Sequence, residues 1–265
     1  MRLSAYLNGI GVLGPNLANW PDTVAVLTGR RVYVPTPTVL PASTLLPPAE
    51  RRRIGRVVKL ALAVAAEATA HADTAPAQLA SVFSSSGGDG HNCHELCESL
   101  TLPTREVSPT RFSNSVHNAA AGYWSIATGA KRESNVLCAF DASFGAGLLE
   151  AMTQVVVDGE SVLLVAYDTE YPEPIRAKRP VPDAFGVALV LSPSQQPNSL
   201  VRLDAMLCDT LPDTLANPAL EALRLAIPAA RSLPLLLQVA SRESGAAVID
   251  YLDVARLALD VAPCA

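Results

Sequence analysis

The segment 135–168 constrains the fold more than any other part of the chain. Residues 136–140 and 161–166 are short apolar runs that predict buried strands, and residues 146–157 form an apolar stretch of helical length. Residues 141–145 lie between the first strand and the helix, which leaves room only for a tight turn. The pattern predicts a βαβ unit with a sharp turn, which points its apical side chain toward the N-terminus of the helix.

The apex of this turn reads Asp141-Ala142-Ser143 and contains no cysteine. Backbone N–H groups and the helix dipole favour negative charge there, and enzymes use such a place for a nucleophile. Residues 141–145 are one glycine short of the G-x-S-x-G motif, so a Ser-dependent acyl hydrolase is one alternative. That motif needs a histidine later in the chain, and none follows Ser143. We therefore interpret Ser143 as a small residue that lets the turn close.

The remaining chain alternates between strand-like and helix-like segments, which predicts an α/β layered fold with a largely parallel sheet. Prolines predict loops at 35–48 and 171–182, and residues 102–113 carry no regular pattern. Strands are predicted at 4–12, 80–83, 185–191, 200–208 and 235–239. Helices are predicted at 17–27, 50–72, 91–100, 114–129, 218–231 and 246–259.

Composition argues against several classes of function. The 265-residue chain is 49% hydrophobic, which is enough for a sizeable core, and its net charge of −5 gives no basic surface for nucleic acid or anionic membranes. It has no apolar run long enough to span a membrane and no secretory signal pattern. Five cysteines without an export signal indicate reduced thiols. The sequence therefore predicts a cytoplasmic protein.

A second alternative function rests on the segment 91–97, His-Asn-Cys-His-Glu-Leu-Cys. On a helix, Cys93 and Cys97 share a face, and His94 lies near Cys97. These are ligands that zinc accepts, so a zinc-binding regulatory protein is the second alternative. The spacing matches no known finger, and the chain has no second half-site of similar quality. We expect no metal here.

Several segments, taken in order, resemble the β-ketoacyl synthase family of the thiolase superfamily. They are NGIGVLGPN at 8–16, FSSSGG at 83–88, SVHNAAAGYWSIATG at 115–129, the unit at 135–168 and GVALVLSP at 186–193. The similarity covers about 1–205. It implies a thiolase-like layered fold with a complete N-terminal half, residues 1–195, and a truncated C-terminal half, residues 196–265.

The chain departs from this family at the turn, where synthases carry a cysteine. Aligning from either side places Asp141 or Ala142 at that vacant nucleophile position, and neither residue can form a thioester. Cys138 lies too early, within the strand, and we interpret it as a buried structural thiol. The family's catalytic histidines and lysine belong to its second half, whereas the last histidine here is His117 and the last lysine is Lys178. The resemblance thus implies a subunit without catalysis of its own.

A synthase-like subunit without the nucleophile resembles a chain-length factor, and this one resembles the aryl polyene type. Such a subunit pairs with an active ketosynthase, to which an acyl carrier protein delivers the substrates; no cofactor is implied. In that family the two subunits join through the strand before the turn. By resemblance, the dimer strand here comprises Val136, Leu137, Cys138 and Phe140.

The resemblance also implies a tunnel for the growing acyl chain at the subunit interface. Bulky side chains at its floor would limit product length by steric exclusion. The candidates for this tunnel are Ser143 and Phe144 of the turn, with Phe112, Val116, His117 and Tyr123 upstream. For His117 we favour an ordinary hydrogen-bonding role, and for Tyr123 a place in the core or interface.

Overall fold

A computed structural model describes residues 2–264. Within this range the strands are β1 (Leu3–Leu13), β2 (Ala80–Ser84), β3 (Ser134–Leu137), β4 (Val162–Asp168), β5 (Phe185–Ser192), β6 (Val201–Cys208), β7 (Gly245–Asp250) and β8 (Arg256–Pro263). The α-helices are α1 (Trp20–Leu27), α2 (Pro48–Arg51), α3 (Arg56–His71), α4 (Gly90–Thr101), α5 (Pro109–Asn114), α6 (Ala119–Thr128), α7 (Ser143–Asp158), α8 (Pro218–Ala226) and α9 (Leu233–Ser241).

In the described range, these strands form one sheet in the order β3-β2-β4-β5-β1-β6-β8-β7. Only β2 with β3 and β2 with β4 are parallel; the other neighbours are antiparallel. The prediction of a largely parallel sheet was therefore wrong. Helix α7 provides the crossover from β3 to β4, which lie on either side of β2, whereas β4–β5 and β7–β8 are antiparallel neighbours that follow one another along the chain.

The sheet is covered on both faces, which gives three layers. One core joins α3 and α6 to one side of the sheet, and the other joins α7, α8 and α9 to the opposite side. Along β4, Leu163 faces α3 while Leu164 faces α7, so both faces of this strand are buried. This explains why β4 and β5 read as continuous apolar runs rather than as alternating ones.

Helix α3 packs directly on β1 because two glycines of β1, Gly9 and Gly11, allow the backbones to meet. A Cβ atom at Gly9 would lie 2.2 Å from the carbonyl oxygen of Ala68. Where β1 extends beyond β6, α3 also supplies hydrogen bonds: Val12 N–H donates to Glu67 Oε2 at 2.9 Å and Ile10 N–H approaches His71 Nδ1 at 3.1 Å. Burial raises the pKa of Glu67. These two glycines thus form the part of β1 against which α3 packs.

The N-terminal part of the chain follows the predicted pattern, with differences at element ends. The five strands predicted at 4–12, 80–83, 161–166, 185–191 and 200–208 are confirmed, as is the helix predicted at 91–100. Residues 109–113, predicted as irregular, belong to α5, which begins at Pro109 with Ser108 as its cap. The arginines 51–53 precede α3 rather than opening it, because Gly55 is the N-cap.

Two predictions for the C-terminal part gave the wrong type of secondary structure. Residues 235–239, predicted as a strand, belong to α9, and residues 246–259, predicted as a helix, form the β7–β8 hairpin. A short apolar run such as 235–239 does not distinguish a strand from a helix. Residues 246–259 are strands because β8 pairs with β6 and β7. The expected division at 195 falls in the connection between β5 and β6. Within residues 2–264, no helix has the length and apolar character needed to cross a membrane.

Candidate functional site

The predicted strand–turn–helix unit is present, and its turn is held by a single-turn 3₁₀ helix at Phe140–Ala142. Strand β3 ends at Leu137, earlier than predicted, and α7 begins at Ser143. Phe140 has φ +53°, a left-handed conformation that bulky residues rarely adopt. This one residue turns the chain from the strand into the helix.

Ser143 closes the turn from inside. Its side chain is buried, and its Oγ donates to the Phe140 carbonyl at 2.7 Å while accepting from Ala139 N–H at 3.1 Å. The hydroxyl proton is thereby committed to a backbone carbonyl. Within residues 2–264, no imidazole is hydrogen-bonded to this hydroxyl, so the geometry offers no support for the hydrolase alternative.

Asp141 lies at the apex and is paired with two arginines. Its Oδ1 accepts from Arg179 Nη2 at 2.7 Å and its Oδ2 from Arg231 Nη2 at 3.1 Å. Both guanidinium groups are mostly buried, with side-chain exposures of 20% and 19%. The carboxylate therefore acts as a structural counter-ion for both arginines.

The two ion pairs of Asp141 belong to a larger network that joins the turn to the C-terminal segment. Asp250 accepts from Arg231 at 3.3 Å and from Arg224 at 3.1 Å, and Arg224 also donates to Glu221 at 2.7 Å. Three arginines thus face three carboxylates, which balances the charge. The sequence did not reveal this network because its members come from five separate segments.

Arg179 also covers the ring of Phe140. The guanidinium carbon lies 3.6 Å from the ring centre, in cation–π geometry. Phe140 as a whole is still 60% exposed. The loop 169–184 that carries Arg179 was predicted only as irregular structure. It supplies a side chain that fixes the turn.

A buried carboxylate, Asp168, ties the ends of three segments together beside the turn. It accepts from Ser86 N–H at 2.8 Å and from Ala229 N–H at 2.9 Å, and burial raises its pKa to about 6. These bonds join β4 to Ser86 in the loop after β2 and to the 3₁₀ turn Pro228–Ser232, which contains Arg231. Sequence reasoning missed Asp168, although a carboxylate at the end of a buried strand was a usable signal.

The tunnel candidates fall into two groups. Phe112 and Val116 are 67% and 52% exposed, so their apolar side chains face outward from the chain. His117 is half-buried, and its Nε2 has no partner among the described residues. Phe144, by contrast, is 1% exposed and packs in the core beneath α7. That placement favours a packing role for Phe144.

The Tyr123 hydroxyl takes part in a small group of hydrogen bonds at the end of α5. Its hydroxyl donates to Asn114 Oδ1 at 3.2 Å, and Asn114 Nδ2 donates to the Arg53 carbonyl at 2.7 Å. Asn114, predicted at the start of a helix over 114–129, is instead the last residue of α5 and does not cap a helix N-terminus. It connects the end of α5 to the segment before α3. The neighbouring Trp124 is 1% exposed and lies in the core.

The predicted dimer strand lies at an open edge of the sheet. In the described chain β3 pairs only with β2, whose Ser81 and Ser85 N–H groups donate to the carbonyls of Glu133 and Leu137. Since successive residues of a strand point their polar groups to opposite sides, the N–H and C=O of Val136 face away from β2. The strand is thus not a central one.

Cys138 departs from its predicted role. It is exposed, and its Sγ–H donates to the Ser86 carbonyl at 3.2 Å. The interpretation as a buried structural thiol was wrong because β3 forms the sheet edge, so the residue that follows it has no covering layer. Val136 and Leu137 are half-buried, whereas Phe140 and Cys138 are exposed.

The opposite edge of the sheet, β7, is covered. Asp213 N–H donates to the Val248 carbonyl at 2.9 Å, and Val248 N–H donates to Asp213 Oδ2 at 2.8 Å. Asp213 therefore forms hydrogen bonds with both the N–H and the C=O that Val248 presents to the outside. Such protection prevents unwanted edge pairing. The two edges of the sheet differ in this respect.

The possible zinc ligands are not arranged around a common point. Cys93 and Cys97 are both exposed on α4, His94 Nε2 lies 3.3 Å from Glu98 and His91 Nε2 lies 3.9 Å from Glu170. Burial, followed by the charge of Asp89, raises the pKa of Cys93, which disfavours the thiolate. Residues 2–264 contain no group of three such side chains placed to hold a metal ion.

Comparison with solved structures shows the same fold in ketosynthase complexes. A ketosynthase (ApeO) in complex with its chain length factor (ApeC) from Xenorhabdus doucetiae is 22% identical, with a TM-score of 0.74 over 97% of this chain and 99% of that chain. The ishigamide ketosynthase/chain length factor is 12% identical, with a TM-score of 0.73 over 99% and 100%.

A type II polyketide synthase acyl-carrier protein in complex with its ketosynthase bound to the hexaketide is also 12% identical, with a TM-score of 0.77 over the whole of both chains. The expected thiolase-like layered α/β fold is confirmed. No curated protein matches the chain. The model of the β-ketoacyl synthase N-terminal domain matches residues 28–229, more than half of the sequence. This chain therefore belongs to the β-ketoacyl synthase family.

Proposed function

We propose that this chain is a non-catalytic, chain-length-determining subunit that pairs with an active β-ketoacyl synthase. One observation carries the proposal: the strand–turn–helix unit is intact, yet its apex holds Asp141 between Arg179 and Arg231 in place of a thiol. The resemblance to chain-length factors of aryl polyene biosynthesis suggests the pathway class, a fatty acid or polyketide type of chain building.

The chemistry of condensation supports the absence of catalysis. The reaction needs a thiolate that becomes acylated and imidazoles that stabilise the developing enolate. At the proposed vacant positions, Asp141 is neutralised by its arginines and Ala142 has no reactive group. The nearest thiol, Cys138, precedes the turn.

The open edge of β3 supports the proposed pairing. Val136 offers an outward N–H and C=O on a half-buried apolar strand, whereas the equivalent groups of Val248 on β7 are occupied by Asp213. A strand from a partner can extend the sheet only where such groups are free. The partner would be an active ketosynthase, and an acyl carrier protein would reach this chain through that pair.

The exposed side chains of α5 and its C-terminal end support a role in the tunnel. Phe112 and Val116 project apolar groups to the outside, where a partner would cover them. A growing acyl chain that met them would stop, because overfilling a packed cavity is unfavourable. We assign His117, Tyr123 and Ser143 to the supporting structure rather than to the stop itself, since Tyr123 bonds Asn114 of α5 and Ser143 closes the turn before α7.

The test is co-expression of the chain with the ketosynthases encoded nearest to it in its own genome. We expect one of them to co-purify as a 1:1 complex that extends malonyl groups on an acyl carrier protein, and we expect no condensation by this chain alone. Size-exclusion chromatography and mass spectrometry of the carrier protein provide the two readouts. Condensation by the isolated chain, or a monomer that binds none of these ketosynthases, would contradict the proposal.

A further inference from the structure

Phe140 combines two features that packing within this chain does not explain. Its backbone is left-handed at φ +53°, and 60% of the residue is exposed. A bulky side chain in that conformation is strained, and natural proteins retain such strain mainly at functional sites. A glycine would satisfy the backbone here, so an aromatic side chain needs another reason.

The exposed ring is held rigidly from behind. The Arg179 guanidinium stacks 3.6 Å from its centre, and Arg179 is itself fixed by its 2.7 Å hydrogen bond to Asp141. The Phe140 carbonyl accepts from Ser143 Oγ at 2.7 Å, which fixes the backbone from the other side. A ring oriented before binding loses little conformational freedom when a partner covers it.

The ring also lies at the sheet edge that has free polar groups. Phe140 follows the end of β3 by three residues, and Cys138 between them is also exposed, so the ring lies close along the chain to the strand with the outward polar groups. Aromatic side chains and arginines are enriched at the centres of protein interfaces, and a few such residues carry most of the binding free energy.

We infer that Phe140 is the aromatic anchor of the subunit contact and inserts into an apolar pocket of the ketosynthase, with Arg179 as the positioning residue behind it. This inference rests on the proposed function, since it names the residue that dominates the pairing through β3. The strain at Phe140 is kept because the ring is needed by the partner and not by the fold.

The discriminating variant is Phe140→Gly. Glycine adopts positive φ without strain, so the isolated variant should melt at the same temperature as the wild type or higher. Without the ring, the heterodimer should dissociate at least about 30-fold more readily, the loss typical of a dominant interface residue. Phe140→Trp keeps an aromatic ring and should bind within about fivefold of the wild type.

Arg242→Gly is the matched control, because Arg242 is also exposed and has φ +56°, at the end of α9. It relieves the same kind of strain away from β3 and should leave the dissociation constant within about twofold. Dissociation constants come from mass photometry of purified complexes over a dilution series, and melting temperatures from each chain alone.

Wild-type binding by Phe140→Gly would overturn the anchor while leaving the proposed pairing intact. A melting temperature that falls well below the wild type would show that the ring serves the fold, which would also overturn it. If the wild-type chain binds no ketosynthase, the proposed function itself fails.

Discussion

The Oδ2 atom of Asp141 accepts a hydrogen bond from Arg231 Nη2 at 3.1 Å, which ties the turn before α7 to the segment between α8 and α9. The two residues are 90 positions apart in the chain. Through Arg231 and Asp250 this contact extends to the end of β7. In the proposed subunit, the apex of the turn thus stabilises the fold.

Replacing Asp141 with asparagine should destabilise the chain by about 1–2 kcal/mol. The size of the side chain is kept, but Arg179 and Arg231 lose the carboxylate that neutralises them in a largely buried place. Urea unfolding at neutral pH measures this loss. Asp253→Asn is the control, because Asp253 makes no ion pair within residues 2–264, and its effect should stay below about 0.5 kcal/mol. Equal stability of the two variants would contradict the structural role of Asp141.

Replacing Val136 with proline should abolish pairing with the ketosynthase while leaving the chain folded. The N–H of Val136 faces away from β2, so proline removes a group that only a partner strand could use. Pull-down of the co-expressed ketosynthase measures the pairing, and circular dichroism measures folding.

Ala246→Pro supplies the comparison at the other edge. Ala246 lies two residues before Val248 on β7, so its N–H also faces outward. We expect this variant to retain the ketosynthase fully. Loss of the partner with Ala246→Pro, or its retention with Val136→Pro, would contradict assembly through β3.

Shortening the exposed apolar side chains should lengthen the product. In Phe112→Ala or Val116→Ala, the proposed tunnel gains space, so the complex should release acyl chains longer by at least one two-carbon unit. Mass spectrometry of products from the reconstituted pair gives the lengths. Unchanged lengths in both variants would remove these two residues from the proposed tunnel.

Phe144→Ala should behave differently from those two variants. Phe144 is 1% exposed in the main core, so its truncation leaves a cavity and should cost about 3–5 kcal/mol of stability. Denaturant unfolding of the isolated chain measures this. A stable Phe144→Ala protein that makes longer products would instead restore Phe144 as a tunnel residue.

Stability should depend on pH through Asp168. Its pKa is raised from 3.8 to about 6 by burial, so between these values the folded state binds more protons than the unfolded state. Stability therefore falls as pH rises through this window. Relative to Asp168→Asn, the wild type should lose about 2 kcal/mol between roughly pH 4.5 and 7.

Urea unfolding of both proteins across this range provides the measurement, with Asp204→Asn as the comparison. Burial acts to raise the pKa of Asp204, but hydrogen bonds from Ser4 and Arg202 outweigh it and lower the pKa. Its contribution is therefore constant above about pH 4 and is lost only below. A difference between wild type and Asp168→Asn that does not change with pH would contradict the buried-acid interpretation.

The central βαβ unit and the family can be recognised from the residues alone, because both depend on local patterns. Buried strands such as β4 are marked by apolar runs, and the turn before α7 by its composition and its place between strand and helix. The absence of a cysteine from residues 141–145 could also be read directly. These features need no knowledge of distant contacts.

Only the tertiary structure decided how the turn is held and which strand lies at an edge. Asp141, Arg179 and Arg231 meet through chain reversals that no local pattern encodes, and no local pattern marks the left-handed conformation of Phe140. The exposure of Cys138 follows from the position of β3 in the sheet order, and the β7–β8 hairpin follows from pairing with β6. Periodicity reports which side chains are apolar, whereas the sheet order decides which of them another layer or strand covers.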